Sequence, residues 1–119
     1  MAATVAVGIV VILGDVFVAR HRHHTEMPDV FRAADAYLTT ATTTGSALWE
    51  AMASGCPPIA LTRTGAEHAI VNGGYDANGW IADARTEYLA AAIAQVCIAP
   101  AERGRRGAAA ATWARRHLR

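Results

Sequence analysis

Residues 42–55 (TTTGSALWEAMASG) carry the residue types best suited to holding an anionic ligand. Here the chain passes from a polar turn into a short predicted helix. The first backbone N–H groups of a helix have no intrahelical partner and lie at the positive end of its dipole, which suits phosphate. The residues positioned for backbone donation to phosphate are therefore Thr44, Gly45, Ser46 and Ala47, and the candidate binding loop also includes Thr42 and Thr43.

Glu50 lies one turn further into the same predicted helix. Its carboxylate can accept hydrogen bonds from the adjacent hydroxyls of a sugar. A phosphate seat beside a hydroxyl acceptor is what a nucleotide-sugar site needs. Ordinary helix capping by Thr44 or Ser46 would use the same N–H groups. The sequence therefore leaves phosphate binding and capping open as alternatives.

Short apolar runs alternate with helical patterns along the chain. The pattern predicts strands at residues 5–13, 16–18, 37–40, 59–61 and 80–82, and helical segments at 28–34, 46–54, 66–71, 87–96 and 101–118. Such alternation predicts an α/β fold, a Rossmann-like parallel sheet with helices on both faces. Ligands of these sheets bind at the carboxyl ends of the strands, which is where the 40–45 loop falls.

Composition indicates one globular domain over residues 1–119, with 53% apolar and 18% charged residues. The net charge of +1 provides no field for gathering nucleic acid, and we expect no nucleic-acid partner. The apolar run at residues 5–13 is too short to span a bilayer and lacks the flanks of a signal peptide. Cys56 and Cys97 have no CxxC spacing, so we expect buried free thiols and a reducing, cytoplasmic setting.

Two basic segments have alternative interpretations. The His-rich stretch at 20–26 lacks zinc-ligand spacing, and we expect no metal there. The arginines of the C-terminal helix suggest contact with RNA or a membrane surface, although cations near a helix C-terminus are explained more simply by the helix dipole. They are Arg103, Arg105, Arg106, Arg115, Arg116 and Arg119.

Four blocks in order resemble the C-terminal nucleotide-sugar-binding domain of group 1 retaining glycosyltransferases of the GT-B fold. They are residues 27–38 (MPDVFRAADAYL), 50–58 (EAMASGCPP), 64–73 (TGAEHAIVNG) and 78–81 (NGWI). The family's versions read roughly "lyraADvfl", "EAMAcGlPvv", "gGipEiv" and "nGllv". The resemblance covers about residues 24–118.

The resemblance implies a role for several positions. Glu50 matches the glutamate that holds the ribose hydroxyls of the nucleotide. An earlier glutamate of the family, which contacts the donor sugar, falls here on Thr42, whose hydroxyl lacks a carboxylate's charge. In the family the segment that contains Arg20 and His21 lies by the nucleotide base, so the resemblance implies that Arg20 or His21 stacks on a base or contacts a phosphate. The implied ligand is a nucleoside diphosphate sugar, used as a substrate without a further cofactor.

The resemblance also implies missing parts. The family has two Rossmann-like domains around a cleft, and its "GR…KG" block does not occur in these 119 residues. We therefore expect an incomplete half of a GT-B fold, whose activity depends on a separate N-terminal half. The alternative is an inactive interaction module that pairs through an exposed sheet edge formed by residues 5–13.

Overall fold

The computed structural model describes residues 8–12, 15–19, 29, 31–32, 34–40 and 46–118. Its centre is a five-stranded sheet. The strands are β1 (Gly8–Ile12), β2 (Asp15–Ala19), β3 (Ala36–Thr39), β4 (Pro58–Leu61) and β5 (Trp80–Ala82), in the spatial order β2-β1-β3-β4-β5. The helices with complete bounds are α1 (Ser46–Ala53), α2 (Thr86–Ile98) and α3 (Pro100–His117), and a 3₁₀ turn covers Ala66–His68.

Strands β3, β4 and β5 are parallel to one another. Leu38, Ile59 and Trp80 lie side by side across these three strands. Each crossover carries helical structure, α1 between β3 and β4 and the 3₁₀ turn between β4 and β5. This part of the molecule confirms the predicted Rossmann-like α/β fold.

The first two strands differ from the predicted parallel arrangement. β1 pairs antiparallel with both β2 and β3. Ile12 is paired with Asp15, so the connection has room only for a hairpin, whereas a parallel pair needs a long crossover. β1 also lies between β2 and β3, so the expectation of an exposed edge was wrong for Gly8–Ile12, the described part of the 5–13 segment. Among the described strands, β2 and β5 are the outer ones.

Helices cover both faces of the parallel strands, as predicted. Ile59 on β4 packs with Ala92 and Val96 of α2 on one face. Its neighbour Ala60 packs with Met52 of α1 and Ala110 of α3 on the other. Successive residues of a strand point to opposite faces, so this continuous apolar strand serves two cores at once.

The shorter predicted helical segments are found in part. Asp29, Phe31 and Arg32 are helical, in agreement with a helix beginning near Pro28, and Phe31 is fully buried. The segment predicted at 66–71 is a shorter 3₁₀ turn at Ala66–His68. Among the described residues, no helix is both long enough and apolar enough to cross a membrane.

The arginines in the first half of α3 hold the domain together. Arg106 is buried, lies over the Trp80 ring at 4.6 Å, and donates to the carbonyl oxygens of Asn72 at 2.8 Å and Gly79 at 2.6 Å. Arg103 donates to the carbonyl of Val96, and Arg105 to that of Tyr75. These contacts weaken the RNA or membrane interpretation, because a cation already bound within the domain contributes little to an external polyanion.

The two cysteines have different environments. Cys56 is buried, and that burial, with a smaller contribution from the charge of Asp35, raises the pKa of its thiol to about 12. Cys97 is exposed, so the expectation of a buried thiol was wrong there. Val96 takes the inward position on α2, and the next residue of a helix points about 100° away from it.

Candidate functional site

Helix α1 begins at the edge of the sheet where the parallel strands end, which we call the carboxyl edge. β3 ends at Thr39, and the chain re-enters regular structure at Ser46, the exposed first residue of α1. The first turn of α1 contains no acidic side chain to neutralise the positive end of its dipole. The side chains of α1 itself therefore leave the positive end of its dipole uncompensated, and residues 41–45, which precede the helix, lie outside the described residues.

Packing against the sheet and α3 fixes the orientation of α1. Leu48 and Met52 are buried in the core that α1 shares with α3. Trp49 stacks on Trp113 with ring centroids 5.8 Å apart, and Trp113 stacks in turn on His117 at 4.4 Å. Ala51 is buried in a second core cluster, with Phe31 and Tyr37. Trp49 is partly buried and packs against the first cluster. The helix cannot rotate without breaking these contacts.

Glu50 occupies the side of α1 that looks toward β3. The residue is half-buried, and its carboxylate is close enough to Tyr37 to influence that residue's ionisation. Burial is the main cause that raises the pKa of the Tyr37 hydroxyl, a hydrogen bond with the Thr39 side chain lowers it, and the charges of Cys56 and Glu50 raise it. Glu50 thus lies one turn from the start of α1, with its carboxylate in the neighbourhood of Tyr37 on β3.

The described part of the predicted site is brought together at one end of α1. Ser46, Ala47 and Glu50 all lie within its first turn and a half, with Ala47 packed against the Phe31–Tyr37 cluster. The remaining predicted site residues lie outside the described residues, and their placement stays a prediction: Thr42, Thr43, Thr44, Gly45, Arg20 and His21.

A second loop at the carboxyl edge was not singled out by sequence as a candidate site. It follows β4 and contains Arg63, with φ of 63°, and Gly65, with φ of 90°. The Glu67 carboxylate accepts hydrogen bonds from the backbone N–H of Arg63 and, at 2.9 Å, from that of Gly65. Hydrogen bonds from its own N–H and from those of Arg63, Gly65 and Thr64 lower the pKa of Glu67, which is exposed. The glycine followed two residues later by a glutamate was the available signal.

The loop after β5 joins the same edge. The Thr62 hydroxyl donates to Asp83 Oδ1 at 3.0 Å, linking the chain leaving β4 to the chain leaving β5. Two concavities, of 290 and 470 Å³, lie along β5 and α2 and along the second half of α3. Neither is lined by Ser46, Ala47 or Glu50.

Comparison with known proteins fits this geometry. A family model described as "Glycosyl transferases group 1" matches residues 10–113. The match begins before residue 24, where the resemblance read from the motifs starts, and it includes α1 and the loops that follow β4 and β5. Searches of curated proteins and of solved structures found no match. The family match covers most of the chain, which therefore belongs to the group 1 glycosyl transferases.

Proposed function

We propose that this domain is the donor-binding half of a glycosyltransferase, which binds a nucleoside diphosphate sugar and presents its sugar to an acceptor hydroxyl. The observation that carries the proposal is the position of α1 at the carboxyl edge, with no acidic side chain in its first turn and Glu50 one turn further in. In parallel α/β sheets this edge is where ligands bind. The diphosphate would lie at the start of α1, and Glu50 would accept hydrogen bonds from the ribose hydroxyls.

The chemistry expected of this site is electrostatic. When a sugar leaves a nucleoside diphosphate, negative charge grows on the departing phosphate oxygens. Backbone N–H groups that are already fixed in place stabilise that charge without having to reorganise. In this domain the packing of Leu48, Trp49 and Met52 fixes α1 and hence its N–H groups. The acceptor and its activating groups would come from a second domain across the cleft, which we propose as the functional partner.

We place this activity in a reducing compartment such as the cytoplasm. Both cysteines are free, and disulfides are the feature that marks proteins of oxidising compartments. The proposal needs no metal or cofactor beyond the nucleotide sugar itself.

Binding of nucleotide sugars to the purified chain tests the proposal directly. We expect calorimetric titration with UDP, GDP and ADP sugars to detect binding of at least one of them. Glu50→Ala should weaken it by about tenfold or more, because it removes a charged acceptor of two hydroxyl hydrogen bonds. Glu87→Ala, at an exposed acidic position in the first turn of α2, is the matched control. No binding of any donor, or equal effects of the two variants, would contradict the proposal.

Thr42 offers a second arm of this test. If Thr42 stands where the family has its sugar-contacting glutamate, Thr42→Glu should strengthen binding of the nucleotide sugar and leave the nucleoside diphosphate nearly unchanged. One restored charged hydrogen bond corresponds to about tenfold. Equal changes for both ligands would show that residue 42 does not contact the donor sugar.

A second candidate function is an interaction module. Among the described strands β2 pairs only with β1, so its outer edge is available to a strand from another chain. Light scattering after size-exclusion chromatography decides between the two. We expect a monomer if donor binding is the main role, and a concentration-dependent dimer if edge pairing is.

A further inference from the structure

Arg63 has an unusual backbone conformation. Among the described residues it is the only non-glycine residue with positive φ, at 63°. A side chain in the left-handed region is sterically disfavoured, and arginine is not one of the residue types that commonly occupy it. Such conformations persist where surrounding contacts enforce them, and they concentrate at binding sites.

Glu67 is the contact that enforces it. One carboxylate oxygen accepts the N–H of Arg63 and the other accepts the N–H of Gly65. The Thr64 hydroxyl adds a hydrogen bond to the carbonyl of Leu61 at 2.9 Å, which ties the loop to the last residue of β4. The backbone at residue 63 is therefore clamped from both sides, and the direction in which its side chain leaves the chain is set in advance.

The guanidinium group of Arg63 is left without a partner in the described part of the chain. The residue is exposed, and only its backbone N–H takes part in a hydrogen bond there. This differs from Arg103, Arg105 and Arg106, which are hydrogen-bonded within the domain. A preset cation with five free donors suits a phosphate group.

The register of the sheet places this cation near the start of α1. Leu38 is paired with Ile59, so Leu61 at the end of β4 lies level with Thr40, just beyond the end of β3. Adjacent strands are about 4.8 Å apart. Arg63 leaves β4 two residues further on, at the edge where α1 begins at Ser46. An extended arginine side chain is longer than the spacing of about 4.8 Å between adjacent strands, so from this position it can extend across the edge toward β3 and α1.

We propose that Arg63, clamped by Glu67, is a phosphate-contacting residue of this domain and binds the diphosphate of the nucleotide donor. The inference rests on the proposed function in taking the anion to be part of a nucleotide. Arg63 contributes a full positive charge to the site, and the α1 N–H groups contribute backbone hydrogen-bond donors. Glu67 acts through Arg63 as a positioning residue and does not touch the ligand.

Arg85 provides a matched comparison. It is exposed, leaves the same edge one strand further from α1, and makes no side-chain hydrogen bond or ion pair with another described residue. Its φ of −133° is ordinary extended backbone. If any exposed arginine at this edge could bind phosphate, Arg63 and Arg85 would contribute equally to the affinity for a diphosphate. If the hydrogen bonds to Glu67 matter, only Arg63 contributes to that affinity.

The test uses titrations with UDP, GDP and ADP, with uridine, guanosine and adenosine, and with inorganic pyrophosphate. We expect Arg63→Ala to weaken the binding of the nucleoside diphosphates and of pyrophosphate by about tenfold or more. The affinity for the nucleosides should not change. Arg63→Lys should recover part of the loss, and Arg85→Ala should stay within about twofold of wild type. Glu67→Gln should give an intermediate loss for the diphosphates alone.

The outcomes separate the two proposals. Binding that depends on Glu50 but not on Arg63, or equally on Arg63 and Arg85, overturns this inference and leaves donor binding intact. Pyrophosphate binding that depends on Arg63, without binding of any nucleotide, supports the inference and overturns the proposed function. Absence of binding by every diphosphate probe overturns both.

Arg63→Gly separates a loss of binding caused by the missing guanidinium group from one caused by lower stability of the fold. Glycine adopts positive φ without steric cost, so this variant should unfold at a higher denaturant concentration than wild type. We expect it to lose diphosphate affinity as Arg63→Ala does. A more stable Arg63→Gly variant that keeps full affinity would overturn the inference, because the guanidinium group would then have no role in binding.

Discussion

The two ends of the parallel strands are built in contrasting ways. At the amino edge, where β4 and β5 begin, backbones approach so closely that a Cβ at Gly79 would lie 2.6 Å from the carbonyl oxygen of Pro58. A Cβ at Gly107 of α3 would overlap the carbonyl oxygen of Gly55. At the carboxyl edge the loops are largely exposed, and the Arg63 backbone is held in a disfavoured conformation. One end is packed for stability, and the other keeps polar groups available.

Two carboxylates show the same contrast. Hydrogen bonds from Arg106 and Arg105 lower the pKa of Glu102, near the start of α3. Backbone N–H groups lower the pKa of Glu67 at the carboxyl edge. At the amino edge charged side chains pair with each other, whereas at the carboxyl edge a carboxylate shapes a loop whose Arg63 side chain has no partner among the described residues. This division is expected of a domain that binds its ligand at one end of the sheet.

The largest contrast should appear in thiol reactivity. Cys56 sits just before β4 at the amino edge, is 1% exposed, and has a pKa raised to about 12 by burial. Thiolate is the reactive form, so we expect alkylation of native Cys56 to be about a thousandfold slower than that of exposed Cys97. Mass spectrometry after timed iodoacetamide labelling measures both rates, with urea-unfolded protein as the control. Rates within tenfold of each other in the native protein would show that the amino edge opens readily.

Replacing Arg106 should produce the next largest effect. Arg106→Met keeps the length of the side chain but removes the donors to Asn72, Gly79 and Glu102. The two carbonyl oxygens that lose their buried donor should cost about 3 kcal/mol of unfolding free energy, whereas Glu102 keeps its hydrogen bonds from Arg105. Urea denaturation followed by circular dichroism gives this value, with Arg115→Met at an exposed position of α3 as the matched control. If Arg106→Met and Arg115→Met lowered the unfolding free energy equally, the hydrogen bonds of Arg106 would not stabilise the amino edge.

The two glycines of α3 should respond in opposite directions. Gly107→Ala forces the helix away from the Gly55 backbone and should cost about 2 kcal/mol. Gly104 has no atom within 4 Å of an added Cβ, so Gly104→Ala should stabilise the domain by about 0.5–1 kcal/mol through helix propensity. Urea unfolding of the pair tests the close approach. A stabilising Gly107→Ala would show that α1 and α3 are not locked together there.

The smallest effect belongs to the carboxyl edge and depends on pH. The folded pKa of Glu67 lies below its ordinary value of 4.5, so its charged form adds stability above that pH, and this stability is lost as the pH falls through the folded pKa. Unfolding midpoints of wild type and Glu67→Gln should therefore differ at neutral pH and converge in acid.

Asp76→Asn is the control for that pH series, because Asp76 is exposed and receives no hydrogen bond from the described residues. It should show little convergence of this kind. A Glu67→Gln variant whose midpoint follows wild type at every pH would mean that the carboxylate does not hold the loop.

Much of the fold was predictable because it depends on local patterns. The apolar run at 59–61 and the helix starting near Ser46 appear where the sequence places them, as β4 and α1. The hairpin of β1 and β2 was foreseen as two strands, but the antiparallel pairing of β1 with β3 was not. Pairing direction between distant strands depends on how the chain returns to the sheet, which a local pattern does not encode.

The candidate site was predictable to the extent that it follows from helix position. Ser46, Ala47 and Glu50 share one end of α1 because residues three and four apart in a helix are neighbours. Arg63 was not foreseen, since its backbone conformation and its lack of a described partner exist only once Glu67 folds back onto the loop. The equal-looking arginines of α3 likewise separated into buried and exposed ones only through packing.

The sequence by itself determined the family and the order of its elements, together with the helix whose start faces the carboxyl edge, because these depend on residue types at fixed spacing. Tertiary structure alone decided which arginines are hydrogen-bonded within the domain and which are exposed without a side-chain partner among the described residues. Arg106 lies between Trp80 and two carbonyl groups, whereas Arg63 projects from a clamped loop. Both are arginines in polar surroundings along the chain. Their different fates arise from contacts between residues far apart in sequence, which only folding brings together.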